Sequence, residues 1–385
     1  MDYTRFARVR PTPFETWVQA EGLKVITTHT VPDVLTVELE PWKRTGCLGA
    51  LLDMTHDPSE KAMINNQGTT RYIVEIPPGG TFKAEKHMYE EIFYVVKGRG
   101  ATVVWNEGTP KLTFEWEEDA VFAIPLNAWH EIHNGSGSES VRLYAASNMP
   151  TPFNLYGSPE FIFNCATTFN DRFDPNDETY FSRKATKLED RLLQSNFVPS
   201  VTKLALDNWA YRGPGTNMHV LMSGGRFVCH VSEFPPASYK KGHGFVDGQA
   251  TGGRNRTGLT NENSYLFLSG DGYDLQWKPG VKPGPGVPFE RFNFKRGALM
   301  TNGQAGHQHF NPSNEPARYL VLRYGNDRFG LREGQMPAGK NPERWRRPQI
   351  EYKDEQPEIR VLFEEECRKR GVKSKMPDFV EARES

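Results

Sequence analysis

The chain has 385 residues, enough for two domains with extensions. Its 47 basic and 48 acidic residues nearly cancel, which argues against the one-signed field of a nucleic-acid binder or an anionic-membrane protein. No run approaches the roughly 18 apolar residues of a membrane-crossing helix, and the N-terminus lacks a basic-then-apolar signal pattern.

The 24 Phe, 14 Tyr and 8 Trp stand beside 35 Gly and 28 Pro, a composition that suits short strands separated by many turns. Cys47, Cys165, Cys229 and Cys367 are scattered, with no C-x-x-C pair. They read as reduced thiols of a cytoplasmic protein.

In chain order, Phe14–Gly22 reads as a short helix ended by glycine. Val25–Val31 and Val34–Glu40 read as strands, and Pro41–Gly46 as a loop. The strand series continues through Arg71–Pro77, Phe93–Lys97, Ala101–Trp105, Lys111–Trp116, Ala120–Pro125 and Val141–Ala146. Turns fall between them every eight to twelve residues or so, the rhythm of a barrel or sandwich. Thr151–Asn196 reads as a linker with a helix around Lys184–Gln194. After Gly325 the chain turns polar. Pro357–Lys373 reads as largely helical, with Ile359, Val361, Leu362, Cys367 and Val372 as a loose apolar face, a tail packed on the barrel or on a second subunit.

A weak internal repeat links the two halves. Glu75-Ile-Pro-Pro-Gly-Gly-Thr-Phe-Lys lines up with Glu233-Phe-Pro-Pro-Ala-Ser-Tyr-Lys-Lys, and Val95-Val-Lys-Gly-Arg-Gly with Phe267-Leu-Ser-Gly-Asp-Gly. His130-Glu-Ile-His-Asn lines up with His307-Gln-His-Phe-Asn. In this alignment His243 matches Glu85, Phe245 matches His87, and Asn263 matches Glu91. The second copy thus loses most of a polar cluster while retaining His243 and His307. It gains an insert, Val246–Glu262, expected to be a long loop serving an active site or a subunit contact.

The cluster in the first copy carries the chemistry. Glu85 and His87 are two apart, so an extended chain points them the same way. Glu91 opens the next strand, where cross-strand pairing can return it beside them. Glu90 should face the opposite side of that strand; it and Glu85 are the candidate acid–base residues. His130 follows an apolar run and a proline turn, and His133, three further on, should face away from it. Arg99 is expected to cap a turn, with Tyr89 and Trp129 as packing residues.

These stretches resemble the two signature motifs of the cupin superfamily. The first, G-x5-H-x-H-x3/4-E-x6-G, reads Gly79, Glu85, His87, Glu91 and Gly98, with Glu85 replacing a histidine. The second, G-x5-P-x-G-x2-H-x3-N, reads Asp119, Pro125, Asn127, His130 and Asn134, with both glycines replaced.

The resemblance implies an all-β bicupin of two jelly-roll barrels with a few short helices. Its parts would be residues 1–150 (first barrel and N-terminal extension), 151–200 (linker), 201–327 (second barrel) and 328–385 (tail). It implies a metal site of His87, Glu91 and His130 with Glu85 as a fourth ligand, holding Fe(II) foremost, with Mn(II) or Zn(II) compatible. The expected activity is a dioxygenase acting on a small aromatic or enolisable molecule with O2, similar in class to gentisate-type enzymes. A redox-neutral lyase, isomerase or hydrolase and a non-catalytic bicupin are the alternatives. The expected partners are a small-molecule substrate and a second copy of the chain, with no nucleic acid and no membrane.

Overall fold

A computed structural model describes residues 11–54, 68–225, 227–243, 264–278, 281, 283–302, 306–324 and 349–377. The insert 246–262, Phe245, Asn263 and much of the tail lie outside the described residues. Among the described residues no helix is long and apolar enough to cross a membrane.

Two β-barrels carry the fold, each a large sheet facing a four-stranded one. In the first, the eight-stranded sheet places Glu91–Lys97 between Val141–Ser147 and Val121–Ile124. The facing sheet runs Thr81–Glu85, Trp129–Asn134, Arg99–Trp105 and Leu112–Glu117. In the second, the nine-stranded sheet contains Thr216–Met222, Phe227–Phe234, Ala317–Tyr324, Ser264–Ser269 and Leu299–Thr301. Its facing sheet runs Ser238–Tyr239, His307–Asn311, Gly272–Gln276 and Glu290–Phe294.

The apolar run Ile92-Phe93-Tyr94-Val95 is buried on both faces, and alternation explains why. Phe93 and Val95 join the interior of the first barrel with Phe82, Ile132 and Leu143. Ile92 and Tyr94 point the other way, into a second core shared with Val220, Cys229, Leu266 and Leu320. The two large sheets therefore stand back to back. Short strands are exchanged across this seam. Thr30–Val31 pairs with Leu299–Thr301 of the second barrel, and Phe197–Val198 pairs with Val121–Ile124 of the first.

The predicted first helix spans Pro13–Glu21, with Thr12 and Glu15 forming a capping box and Gly22 closing it at φ 64°. Three other readings are corrected. Val34–Glu40 is a turn followed by irregular chain, because Asp33 accepts from the Leu35 and Thr36 amides through its side chain and carbonyl. Pro41–Gly46 is not wholly loop, since Glu40–Trp42 pairs with Cys47–Met54. The helix expected around Lys184–Gln194 is a hairpin of Thr186–Glu189 and Leu192–Gln194, which turns through Arg191 at φ 61°. The linker's helices are Pro150–Tyr156 and Pro159–Asn164.

The tail helix spans Pro357–Lys369. It packs Ile359, Phe363 and Cys367 against Tyr239, Tyr273, Trp277 and Phe310 of the second barrel. Val361, expected on that face, is instead 55% exposed. Residues 359, 363 and 367 recur every fourth position and make the narrower stripe that is buried.

Candidate metal centre

Four side chains meet inside the mouth of the first barrel. Glu85 ends its strand directly opposite His130, which lies between Glu85 and Val104 in the four-stranded sheet. His87 follows just beyond that strand, and Glu91 opens the next, paired with Ile124 and Ser147. The turn that delivers His130 is fixed by Asn127, in left-handed conformation at φ 54°. Its amide donates to the His87 carbonyl at 3.0 Å, and its side chain donates to the Cys165 and Thr167 carbonyls. The Asn127 turn thus ties both histidine-bearing segments and the linker together.

Glu85, His87 and His130 each offer a ligand atom, and these atoms lie within 4.8 Å of one another. The Glu91 Oε2 is 3.4 Å from the His87 Nε2. Ligand bonds of about 2.1 Å put donor atoms about 3 Å apart when adjacent and about 4 Å apart when opposite, so the spacing suits one small cation. His87 and His130 are fully buried and Glu91 nearly so.

The outward nitrogen of each ring is already engaged: His87 Nδ1 bonds the Tyr89 carbonyl at 2.8 Å and His130 Nδ1 the Ala128 carbonyl at 3.3 Å. With those protons donated outward, both Nε2 lone pairs face the centre. Tyr72 donates to Glu91 Oε1 at 2.8 Å and leaves Oε2 inward. The Nε2 atoms of His87 and His130 and the Oε2 of Glu91 are buried without a hydrogen-bond partner. Orphaned atoms of metal-ligating type on His87, His130 and Glu91, beside the Glu85–His87–His130 trio, fit a divalent cation.

Burial sets the electrostatics. It pushes His87 down to about 4 and His130 down to about 3, so both rings are neutral near neutral pH. It pushes Glu91 up to about 7 and raises Glu85 as well, although Arg44 beside Glu85 pulls the other way. A dication inverts this balance for the carboxylates.

The remaining predicted residues fall outside the cluster. Glu90 faces the seam between the barrels, as its strand position requires. Its Oε1 accepts from Arg172 at 2.5 Å and from Ser223 of the second barrel at 3.3 Å. His133 bonds Thr81 at 3.1 Å on the outer face. Tyr89 stacks flat on the His87 ring at 3.6 Å, and Trp129 donates to Glu107. Of the second-barrel pair, His307 bonds Tyr265 and Asn302, while His243 Nδ1 bonds the Lys241 carbonyl.

Two residues escaped the sequence reading. Arg44 donates to Glu85 at 2.8 Å and lies 3.2 Å over the Phe163 ring. Tyr72 orients Glu91. Neither belongs to either motif, and each reaches the site only through the fold.

Residues 72–146 match the family model described as Cupin domain. No curated protein matches the chain. Among solved structures, a point variant of Bacillus subtilis oxalate decarboxylase aligns at 11% identity over 78% of each chain, with a TM-score of 0.46. A structure of the same enzyme concerned with its Mn(II) centres aligns at the same identity, coverage and TM-score. A likeness this distant carries no argument about chemistry.

Proposed function

We propose that this chain, a bicupin of the cupin superfamily, is a metal-dependent enzyme whose first barrel holds one divalent cation through His87, Glu91 and His130, with Glu85 as a fourth ligand. The observations that carry this are the ligand atoms of Glu85, His87 and His130 within 4.8 Å of one another, and the inward atoms His87 Nε2, His130 Nε2 and Glu91 Oε2, buried without a hydrogen-bond partner. Leaving donor atoms of this kind orphaned costs about 1–3 kcal/mol each.

Fe(II) is the proposed ion, and the proposed activity is a dioxygenase acting on a small aromatic or enolisable substrate. Such an ion would supply open coordination positions and an electron source for activating O2. The chain's own groups do the rest. Tyr72 fixes which oxygen of Glu91 turns inward, and the Tyr89 and Ala128 carbonyls fix the imidazole planes. Phe82 and Phe163 help keep the surroundings apolar.

Charge narrows the substrate class. Two carboxylates balance a dication, and Arg44 then adds one positive charge at the rim. An enolate, phenolate or carboxylate monoanion completes the balance.

The same carboxylate-rich donor set favours a second reading, redox-neutral lyase chemistry on Mn(II), in which Glu85 serves as the base. Elemental analysis with an oxygen electrode separates the two. About one iron per chain, with O2 uptake on catechols, hydroxybenzoates or diketones, supports the dioxygenase. Bound manganese without O2 uptake supports the second reading. Failure to bind any ion after reconstitution overturns both.

A further inference from the structure

The interior of the second barrel differs from the first in a way the metal reading does not use. Strand register equates the two interiors. Val74, Thr102 and Ile132 correspond to Ser232, Asp274 and His309, while Phe82, Phe93 and Leu143 correspond to Lys240, Tyr265 and Tyr319. Six mostly apolar positions have become polar, and all six are buried. Burying an ammonium, a carboxylate and an imidazole where a duplicate barrel packs hydrocarbon is costly unless something is gained.

We propose that this interior is a metal-independent binding site for a small hydroxycarboxylate anion, received by Lys240 and the Asp274–His309 pair. His309 Nδ1 lies 2.7 Å from Asp274 Oδ1. The opposite atoms, His309 Nε2 and Asp274 Oδ2, are buried without a partner. A hydroxyl both donates and accepts, so it satisfies Nε2 whichever ring nitrogen carries the proton.

Among the described residues Lys240 Nζ bonds only neutral oxygens, at 2.5 Å from Ser232 and 3.4 Å from Tyr319. Burial and the nearby Arg212 push it down to about 7. The charge of Arg212 also bears on His309 and Tyr319. A carboxylate is the ligand group that suits a buried ammonium held only by hydroxyls. Lys240 Nζ and the His309 ring both border the Tyr319 ring, 5.1 and 5.0 Å from its centre, so the cation and the Asp274–His309 pair belong to one buried cluster. His307 is held by Tyr265 and Asn302, and no second trio of ligand atoms occurs among the described residues, which is why the site is assigned no metal.

The test is calorimetric titration of the full chain with glycolate, with acetate and ethylene glycol as controls lacking the hydroxyl or the charge. Saturable glycolate binding is expected, at least about tenfold tighter than acetate. It should persist in His130→Ala, which separates this site from the first barrel. It should fall at least about tenfold in His309→Phe and Lys240→Met. Lys240→Met removes a buried charge at similar volume, so it should fold at least as well as the parent and remain informative if His309→Phe does not fold. Absence of saturable binding overturns the proposal. So does loss of glycolate binding in His130→Ala, or unchanged binding in Lys240→Met.

Discussion

The two barrels share strand order and register but have divided the polar work between them. In the first, side chains of metal-ligating type crowd the mouth, at Glu85, His87, Glu91 and His130, above an interior of Phe82, Phe93, Ile132 and Leu143. In the second, the mouth histidines His243 and His307 are tied to neighbours, and polarity has moved deeper, to Lys240, Asp274 and His309. Duplication preserved the backbone solution, while each copy places its unsatisfied atoms at a different depth. The position of those atoms says more about function here than the fold does.

The largest expected effect lies at the equivalent imidazoles. His130→Ala should abolish metal retention, whereas His307→Ala should leave the metal content unchanged, as read by elemental analysis. Equal loss in both variants would erase the distinction between the barrels. Next, exchanging interiors should be asymmetric. Ile132→His places an imidazole in hydrocarbon and should cost about 2–5 kcal/mol in urea unfolding. A cost below about 1 kcal/mol would show that the first interior is not the dry core described.

Lys240 supplies a pH signature. Its pKa is near 7 in the folded chain and 10.5 in the unfolded one, so between those values the unfolded chain binds the extra proton. The contribution of Lys240 to stability therefore rises with pH across that window and is lost as pH falls toward 7. The stability advantage of Lys240→Met should shrink by up to about 1.4 kcal/mol per pH unit from pH 7 to 10. A constant difference would place the lysine in water.

At the seam, Glu90→Gln should keep full metal content while weakening the bond to Arg172, which elemental analysis and thermal unfolding report together. Metal loss would return Glu90 to the site. The smallest effects should be alike in both barrels. Gly98 (φ 95°) and Gly270 (φ 92°) each turn where a Cβ would strike the partner strand, at 2.8 Å from Val141 and 2.6 Å from Ala317. Alanine at either should cost about 1–2 kcal/mol.

The sequence made the first barrel more legible than the second, for physical reasons. Motif spacing survives because Asp119 and Asn127, which replace the two motif glycines, adopt φ values of 71° and 54°. Asp and Asn are the residue types that tolerate that region. Alternation placed Glu90 opposite Glu91 correctly. The Lys184–Gln194 hairpin was hidden because its first strand, Thr186–Glu189, is exposed throughout and its second is only three residues long, so neither shows a clear apolar alternation. Arg44 and Tyr72 were hidden because their contacts span 41 and 19 residues. The Asp274–His309 pair was missed because those residues match Thr102 and Ile132, which are not motif positions, so comparing ligands alone could not find it.

Anomalous X-ray diffraction from crystals of the full chain loaded with Fe(II) or Mn(II) tests the division of labour most directly. One peak per chain, within bonding distance of the Nε2 atoms of His87 and His130 and of a Glu91 oxygen, is the predicted result. A peak beside His309, or none at either barrel, would contradict it.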